Sequence, residues 1–236
     1  MKLRLLALAA LAAASVHAHA DTIGLWDFNS FSCSSPCATA PKATQTANGG
    51  VLSTVGGITF SSAAGSGTGS ALNTASYAAQ GTGDLTRGVQ FMIDTTGYTD
   101  ITLSFAQRNS ATASAWTTLL YTLDGSSWQT ATAFQMQSTS FVSGIGYDFS
   151  AITGANNNEN FGIQLLSSFA PGTSAYAATG ATSNYGTAGT IRYDNVLFSG
   201  NAIPDVPLPV PEPQSYALML GGLAVVGLLA RRRRVI

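Results

Sequence analysis

Ile101-Thr102-Leu103-Ser104-Phe105-Ala106 sets a large apolar side chain at every second position and a small one between. A period of two is the strand signature, with one face on a core and the other toward solvent. The pattern returns in Phe161, Ile163 and Leu165, alternating with Gly162 and Gln164. It returns again in Leu119, Tyr121 and Leu123, alternating with Thr118 and Thr122. Ile23 to Phe28, Ile58 to Ser61, Val89 to Ile93, Trp128 to Phe134, Tyr147 to Ser150 and Ile191 to Phe198 are further strand candidates. Before the C-terminal tail only Ala71 to Gln80 admits a helical period, and a strand fits it equally well. Many short strands separated by Gly, Asn and Ser turns predict an all-β antiparallel sandwich over residues 21–203. Asp124-Gly125-Ser126-Ser127, between Tyr121-Thr122-Leu123 and Trp128, is the clearest hairpin turn.

Two stretches interrupt this rhythm. Asn29 to Gly50 reads as a long irregular segment, and such loops tend to be functional or mobile. Gly65-Ser66-Gly67-Thr68-Gly69 lacks the Gly-Lys-Ser/Thr ending of a phosphate loop, so it reads as turn chemistry.

Composition excludes whole classes of activity. The only histidines are His17 and His19, both within the first 20 residues. Without them the remaining chain cannot build a Ser-His-Asp or Cys-His arrangement, or histidine ligation of zinc. Between Asp21 and Val210, four cations (Lys42, Arg87, Arg108 and Arg192) stand against ten carboxylates, a net charge of −6. Nucleic-acid binding is excluded on that ground, since phosphate contact needs a basic face. Cys33 and Cys37 are the only cysteines. In an oxidising compartment an isolated pair reads as a disulfide, and one closing so small a loop shapes that loop without holding the fold.

Carboxylates are then the remaining acid–base groups. Glycoside hydrolysis needs two at a defined separation, and Glu159, in Asn156-Asn157-Asn158-Glu159-Asn160, is the single glutamate between Asp21 and Val210. No catalytic residue is assigned, and a non-enzymatic protein is expected. Oxygen-rich segments at Glu159 and at Asp194-Asn195 are candidate calcium ligands. No other cofactor is implied. Sugar binding uses exposed aromatic faces beside amides or carboxylates. Of Trp26, Trp116 and Trp128, the candidates are Trp116, in a polar stretch, and Trp128 with Asp124 nearby.

Both ends of the chain read as addresses. Met1-Lys2-Leu3-Arg4, the apolar run Leu5 to Val16, and Ala18-His19-Ala20 before Asp21 fit a signal peptide of residues 1–20, cut after Ala20 by signal peptidase. At the other end Pro207, Pro209, Pro211 and Pro213 make residues 204–213 an extended stalk. Residues 214–236 then hold an uncharged run, Tyr216 to Ala230, and Arg231-Arg232-Arg233-Arg234. As a single transmembrane helix those 15 residues span about 22 Å. The hydrocarbon core is ~30 Å thick, so the flanking arginines must snorkel to the interface. The four arginines are expected to stay cytoplasmic.

Val210-Pro211-Glu212-Pro213, the apolar run and the arginine cluster, in that order, resemble the PEP-CTERM sorting tail of Gram-negative bacteria over residues 210–234. The resemblance implies an exosortase that recognises and removes the tail. It also implies an inner-membrane-anchored precursor, and a final address at the cell-envelope surface or in the extracellular matrix. Tyr121 to Trp128, together with Ile191-Arg192-Tyr193-Asp194-Asn195-Val196, resembles bacterial extracellular jelly-roll modules, many of which bind carbohydrate. The expectation is therefore a structural or adhesive surface or exopolysaccharide-matrix protein with a glycan-binding capacity. The alternative is an extracellular glycan-active enzyme that uses carboxylates only.

Overall fold

The computed structural model of the chain describes residues 20–204 and 220–224. Among these are twelve strands: β1 (Asp21–Trp26), β2 (Gln45–Thr46), β3 (Gly50–Val55), β4 (Thr59–Ala64), β5 (Ser70–Ala75), β6 (Gly88–Ile93), β7 (Tyr98–Asn109), β8 (Trp116–Thr122), β9 (Trp128–Gln135), β10 (Val142–Asp148), β11 (Gly162–Ser168) and β12 (Ile191–Ala202). Every pairing between them is antiparallel. One sheet runs β10-β7-β12-β1-β2, with β5 beside the first part of β12 and β4 outside β5. The other runs β3-β6-β11-β8-β9. The chain is an all-β sandwich.

Alternation explains which side chains meet between the sheets. Ile101, Leu103 and Phe105 of β7 point inward, as do Val89, Phe91 and Ile93 of β6 and Phe161, Ile163 and Leu165 on and beside β11. Trp26 ends β1 fully buried, edge-on to Phe91 at 5.0 Å and to Phe198 at 6.1 Å. Pairs of this geometry add about 0.5–1.5 kcal/mol beyond the area they bury. A second aromatic group joins Tyr147, Phe149 and Phe161.

β12 departs from strict alternation. Its core-facing residues are Ile191 and Tyr193, then Val196 and Phe198. The parity changes because one extra residue is inserted: Asp194 pairs with Ala106, but Leu197 pairs with Ser104. Asn195 takes φ 48° there, a left-handed value that Asn tolerates better than most residues. The bulge lets one strand serve two partners, β5 at its start and β1 further on.

The stretch Asn29 to Gly50 is more ordered than its sequence suggests. Gln45–Thr46 adds a short strand to β1. Cys33 and Cys37 are disulfide-bonded with Cα atoms 5.9 Å apart. Ser62 N donates to Cys33 O at 3.0 Å, and Cys37 N donates to Phe60 O at 3.1 Å. The cysteine loop therefore lies along the outer edge of β4 and satisfies backbone groups that an edge strand would otherwise present to another chain. The ambiguous segment beginning at Ala71 is a strand, β5, in its first part.

The chain divides into two compact units, Met1–Ile203 and Pro204–Ile236. In the second, residues 220–224 are helical. Among the described residues no helix is long and apolar enough to cross a membrane. Ala18 of the cleavage site, Val210, Pro211, Glu212 and Pro213 of the sorting motif, Arg231, Arg232, Arg233 and Arg234, and most of the expected span lie outside the described residues.

Candidate functional site

The outward face of the five-stranded sheet collects the aromatic candidates. Thr117 and Leu119 of β8 are fully buried toward the core. Trp116, Thr118, Leu120 and Thr122 therefore point the other way. Thr122 pairs with Trp128 of β9, which shares its face. Trp116 and Trp128 thus stand on one surface, at opposite ends of the β8–β9 pair. Their rows lie six steps apart along β8, about 20 Å.

Register fills the space between them. Gln164 of β11 lies between Gln90 of β6 and Leu120 of β8, and Thr130 of β9 continues the row. Gln164 Nε2 donates to Gln90 Oε1 at 2.8 Å, fixing the orientation of both amides. Toward Trp128, Met92 crosses over Gly162, where a β-carbon would lie 2.4 Å from its sulfur. Toward Trp116, Thr118 Oγ1 and Ser168 Oγ are hydrogen-bonded at 2.9 Å. Both indoles are partly exposed. Between the indoles Gln90, Met92 and Leu120 are partly exposed and Thr130 is exposed, whereas Thr118, Thr122, Gln164 and Ser168 are buried. Sugar C–H faces can stack on the indoles, and Gln90 and Thr130 are the polar groups that sugar hydroxyls can reach.

Asp124 sits at the Trp128 end and serves the hairpin. Its Oδ1 accepts from Ser126 N (2.8 Å), Ser127 N (2.6 Å), Ser126 Oγ (3.1 Å) and Thr122 Oγ1 (3.0 Å). The amide and hydroxyl of Ser127 lead in holding this carboxyl well below the usual range. Trp26 takes no part in this face.

The Asn-rich segment ties loops together. Asn156 Oδ1 accepts from Asp100 N, Asn157 Oδ1 accepts from Gly97 N, and Asn158 Nδ2 donates to Leu123 O and Gly154 O. Glu159 is exposed beside them. Asp194 is buried; its Oδ2 accepts from Ser66 N and its Oδ1 from Asn195 N. Among the described residues no three His, Cys, Asp or Glu side chains come together to hold a metal ion.

Sequence alone could not find Gln90, Met92, Leu120 or Gln164. Gln90 and Gln164 are 74 residues apart, and only strand order makes them neighbours. Their one local signal is a polar residue at an alternating position, which every half-exposed strand carries.

Fold and tail together define a β-sandwich protein that carries a sorting signal. Residues 209–234 match the PEP-CTERM protein-sorting motif, which marks an exported, envelope-targeted protein. No curated protein matches the chain. Among solved structures it is similar to the N-terminal CBM22-1-GH10 modules of endo-1,4-β-D-xylanase 10B from Clostridium thermocellum, complexed with xylohexaose. That likeness has 9% identity and a TM-score of 0.43, over 67% of this chain and 27% of that one. It is also similar to the CBM22-1-CBM22-2 tandem domain of Xyn10C from Paenibacillus barcinonensis, with 12% identity and a TM-score of 0.46, over 83% of this chain and 53% of the other. The CBM22-1 xylan-binding domain of the same Xyn10C gives 13% identity and a TM-score of 0.40, over 80% of this chain and all of that one. The chain thus spans about a quarter of the first structure and about half of the second.

Proposed function

We propose that this is a non-catalytic, glycan-binding protein of the cell surface or extracellular matrix, and that its binding surface is the outward face of the β3-β6-β11-β8-β9 sheet. The observation that carries this reading is the placement of Trp116 and Trp128 on one face, with the hydrogen-bonded Gln90–Gln164 pair between their rows. A face about 20 Å long suits an extended oligosaccharide better than a monosaccharide. Exosortase is the proposed processing partner, acting at Val210-Pro211-Glu212-Pro213. The uncharged run before Arg231, at ~22 Å a short span, serves as a transient membrane anchor in residues 214–236. Signal peptidase would release Asp21 as the new N-terminus, leaving residues 21–203 as the sandwich and 204–213 as its stalk.

Intrinsic tryptophan fluorescence of the full chain, titrated with exopolysaccharide from the producing cells, tests the surface. A spectral shift is expected in the wild type, reduced in Trp116→Ala and in Trp128→Ala. Unaltered fluorescence together with no retention on that polymer rejects the assignment. Mass spectrometry of the mature C-terminus from fractionated cells tests the processing. Recovery of the intact arginine tail on the surface form rejects it.

A further inference from the structure

Two pairs of polar side chains meet between the sheets at the start of β8. Gln107 of β7 stands opposite Tyr193 of β12 in one sheet, and Thr117 of β8 stands opposite Ser167 of β11 in the other. None of the four is more than 2% exposed. Gln107 Nε2 donates to Thr117 Oγ1 at 3.0 Å, so the first pair lies over the second. Three of these residues carry a buried polar atom that no described residue satisfies: Gln107 Oε1, Ser167 Oγ and Tyr193 Oη. Buried polar groups are as a rule hydrogen-bonded, because leaving one alone is costly. Three such atoms on facing strands point to one shared partner.

The orientation of the glutamine amide is fixed from outside the group. Asn109 Nδ2 donates to Ser114 O at 2.7 Å and to Thr179 Oγ1 at 3.1 Å. A carbonyl can only accept, so Asn109 Oδ1 is turned toward Gln107 and accepts from its Nε2 at 2.9 Å. Both Nε2 protons are then placed, on Asn109 and Thr117, and Gln107 Oε1 must receive a donor from elsewhere. Tyr77, which acts on the Tyr193 phenol, hydrogen-bonds Thr74 Oγ1 at 2.6 Å, and Thr74 Oγ1 donates to Ile191 O at 2.7 Å. Burial raises the pKa of both tyrosines, so both phenols keep their protons.

Side-chain size makes space for the partner. The preceding inward row of the same two strands holds Leu119 opposite Leu165, both fully buried. In the next row the leucines give way to Thr117 and Ser167. A molecule that fills this space must be small, and must both donate and accept hydrogen bonds. Water does both, and buried waters commonly make about three such bonds.

We propose that Gln107, Ser167 and Tyr193 bind one internal water molecule that joins the two sheets. The water donates to Gln107 Oε1, accepts the phenol proton of Tyr193, and spends its remaining capacity on Ser167 Oγ. It also completes a polar chain that runs from Gln107 through Asn109 to Ser114, whose Oγ accepts from Trp116 N at 3.2 Å. The site lies on the core side of the strand that presents Trp116, and it stands or falls independently of glycan binding.

Deletion of single hydroxyl groups tests the proposal through the sign of the effect. Removing a buried hydroxyl that has no partner relieves a desolvation cost and stabilises a protein, whereas removing one that is bound to water destabilises it. Urea unfolding of the full chain should show Ser167→Ala less stable than wild type, its unfolding equilibrium constant raised about two- to tenfold. Tyr193→Phe should lose stability too, and by a similar factor in a Tyr77→Phe background, where no second phenol can serve as its partner. A crystal structure of the wild-type protein should show one ordered water within ~3.2 Å of Gln107 Oε1 and of both hydroxyls. Ser167→Ala as stable as wild type or more so, no loss from Tyr193→Phe in the Tyr77→Phe background, or no ordered water beside Gln107 Oε1 overturns the proposal.

Discussion

Gly50 lies against the indole of Trp26 so closely that a β-carbon on it would sit 2.7 Å from Cη2 and 3.0 Å from Cζ2. Two strands that are not paired, β1 and β3, are thereby brought together across the core. Trp26→Ala empties a fully buried site and is expected to cost about 3–5 kcal/mol. Gly50→Ala overpacks the same place and is expected to cost about 1–3 kcal/mol. Urea unfolding of both, and of Gly50→Ala in a Trp26→Phe background, checks the contact. The glycine substitution should cost less once the larger ring is gone.

The cysteine loop covers an edge. Replacing Cys33 and Cys37 by serine should lower stability by about 2 kcal/mol at most, the loop being short. Its larger effect is expected in solution behaviour. With the loop loosened, the free side of β4 is open to a second chain, and light scattering should show concentration-dependent association that wild type lacks.

Asp124 should show its role in acid. Backbone and side-chain hydrogen bonds from Ser127 and the amide of Ser126 hold its carboxyl below the ordinary value of 3.8. A depressed carboxyl contributes stability that is present above its unfolded pKa and is lost as pH falls through its folded one. Asp124→Ala should therefore be less stable than wild type at neutral pH, with the difference shrinking below 3.8. Chemical denaturation across that range reads it.

Asp194 should behave in the opposite sense. Burial raises its carboxyl above the ordinary 3.8, the amides of Ser66 and Asn195 oppose that, and the charge of Asp27 adds to the rise. The folded state then favours the neutral acid. Its contribution is complete below 3.8 and is lost as pH rises through the folded pKa. Asp194→Asn removes this dependence, so its stability relative to wild type should increase between about pH 3 and pH 7.

Strands were legible where bulky and small residues alternate, as in Ile101 to Ala106, because burial of one face imposes that pattern. β3 was not, since Val51 is 62% exposed while Leu52 alone of its residues is buried. β5 is built from small residues that carry little hydrophobic signal. Along β12 the parity change at Asp194-Asn195 comes from a backbone bulge that no alternation rule anticipates. Trp116 and Trp128 were legible as sugar-binding candidates by residue type. Their shared face was not, since it depends on how β8 and β9 pair.

From the sequence alone came the all-β class, the exclusion of histidine chemistry between Asp21 and Val210, the acidic balance, and the sorting signal in the tail. Each rests on composition or on a pattern within one short segment. Tertiary structure alone decided that Gln90 meets Gln164, that the cysteine loop guards β4, and that Gln107 lies beside Tyr193. Those relations join residues tens of positions apart, and in a sheet only strand order and register, set by burial of the whole core, determine which of them become neighbours.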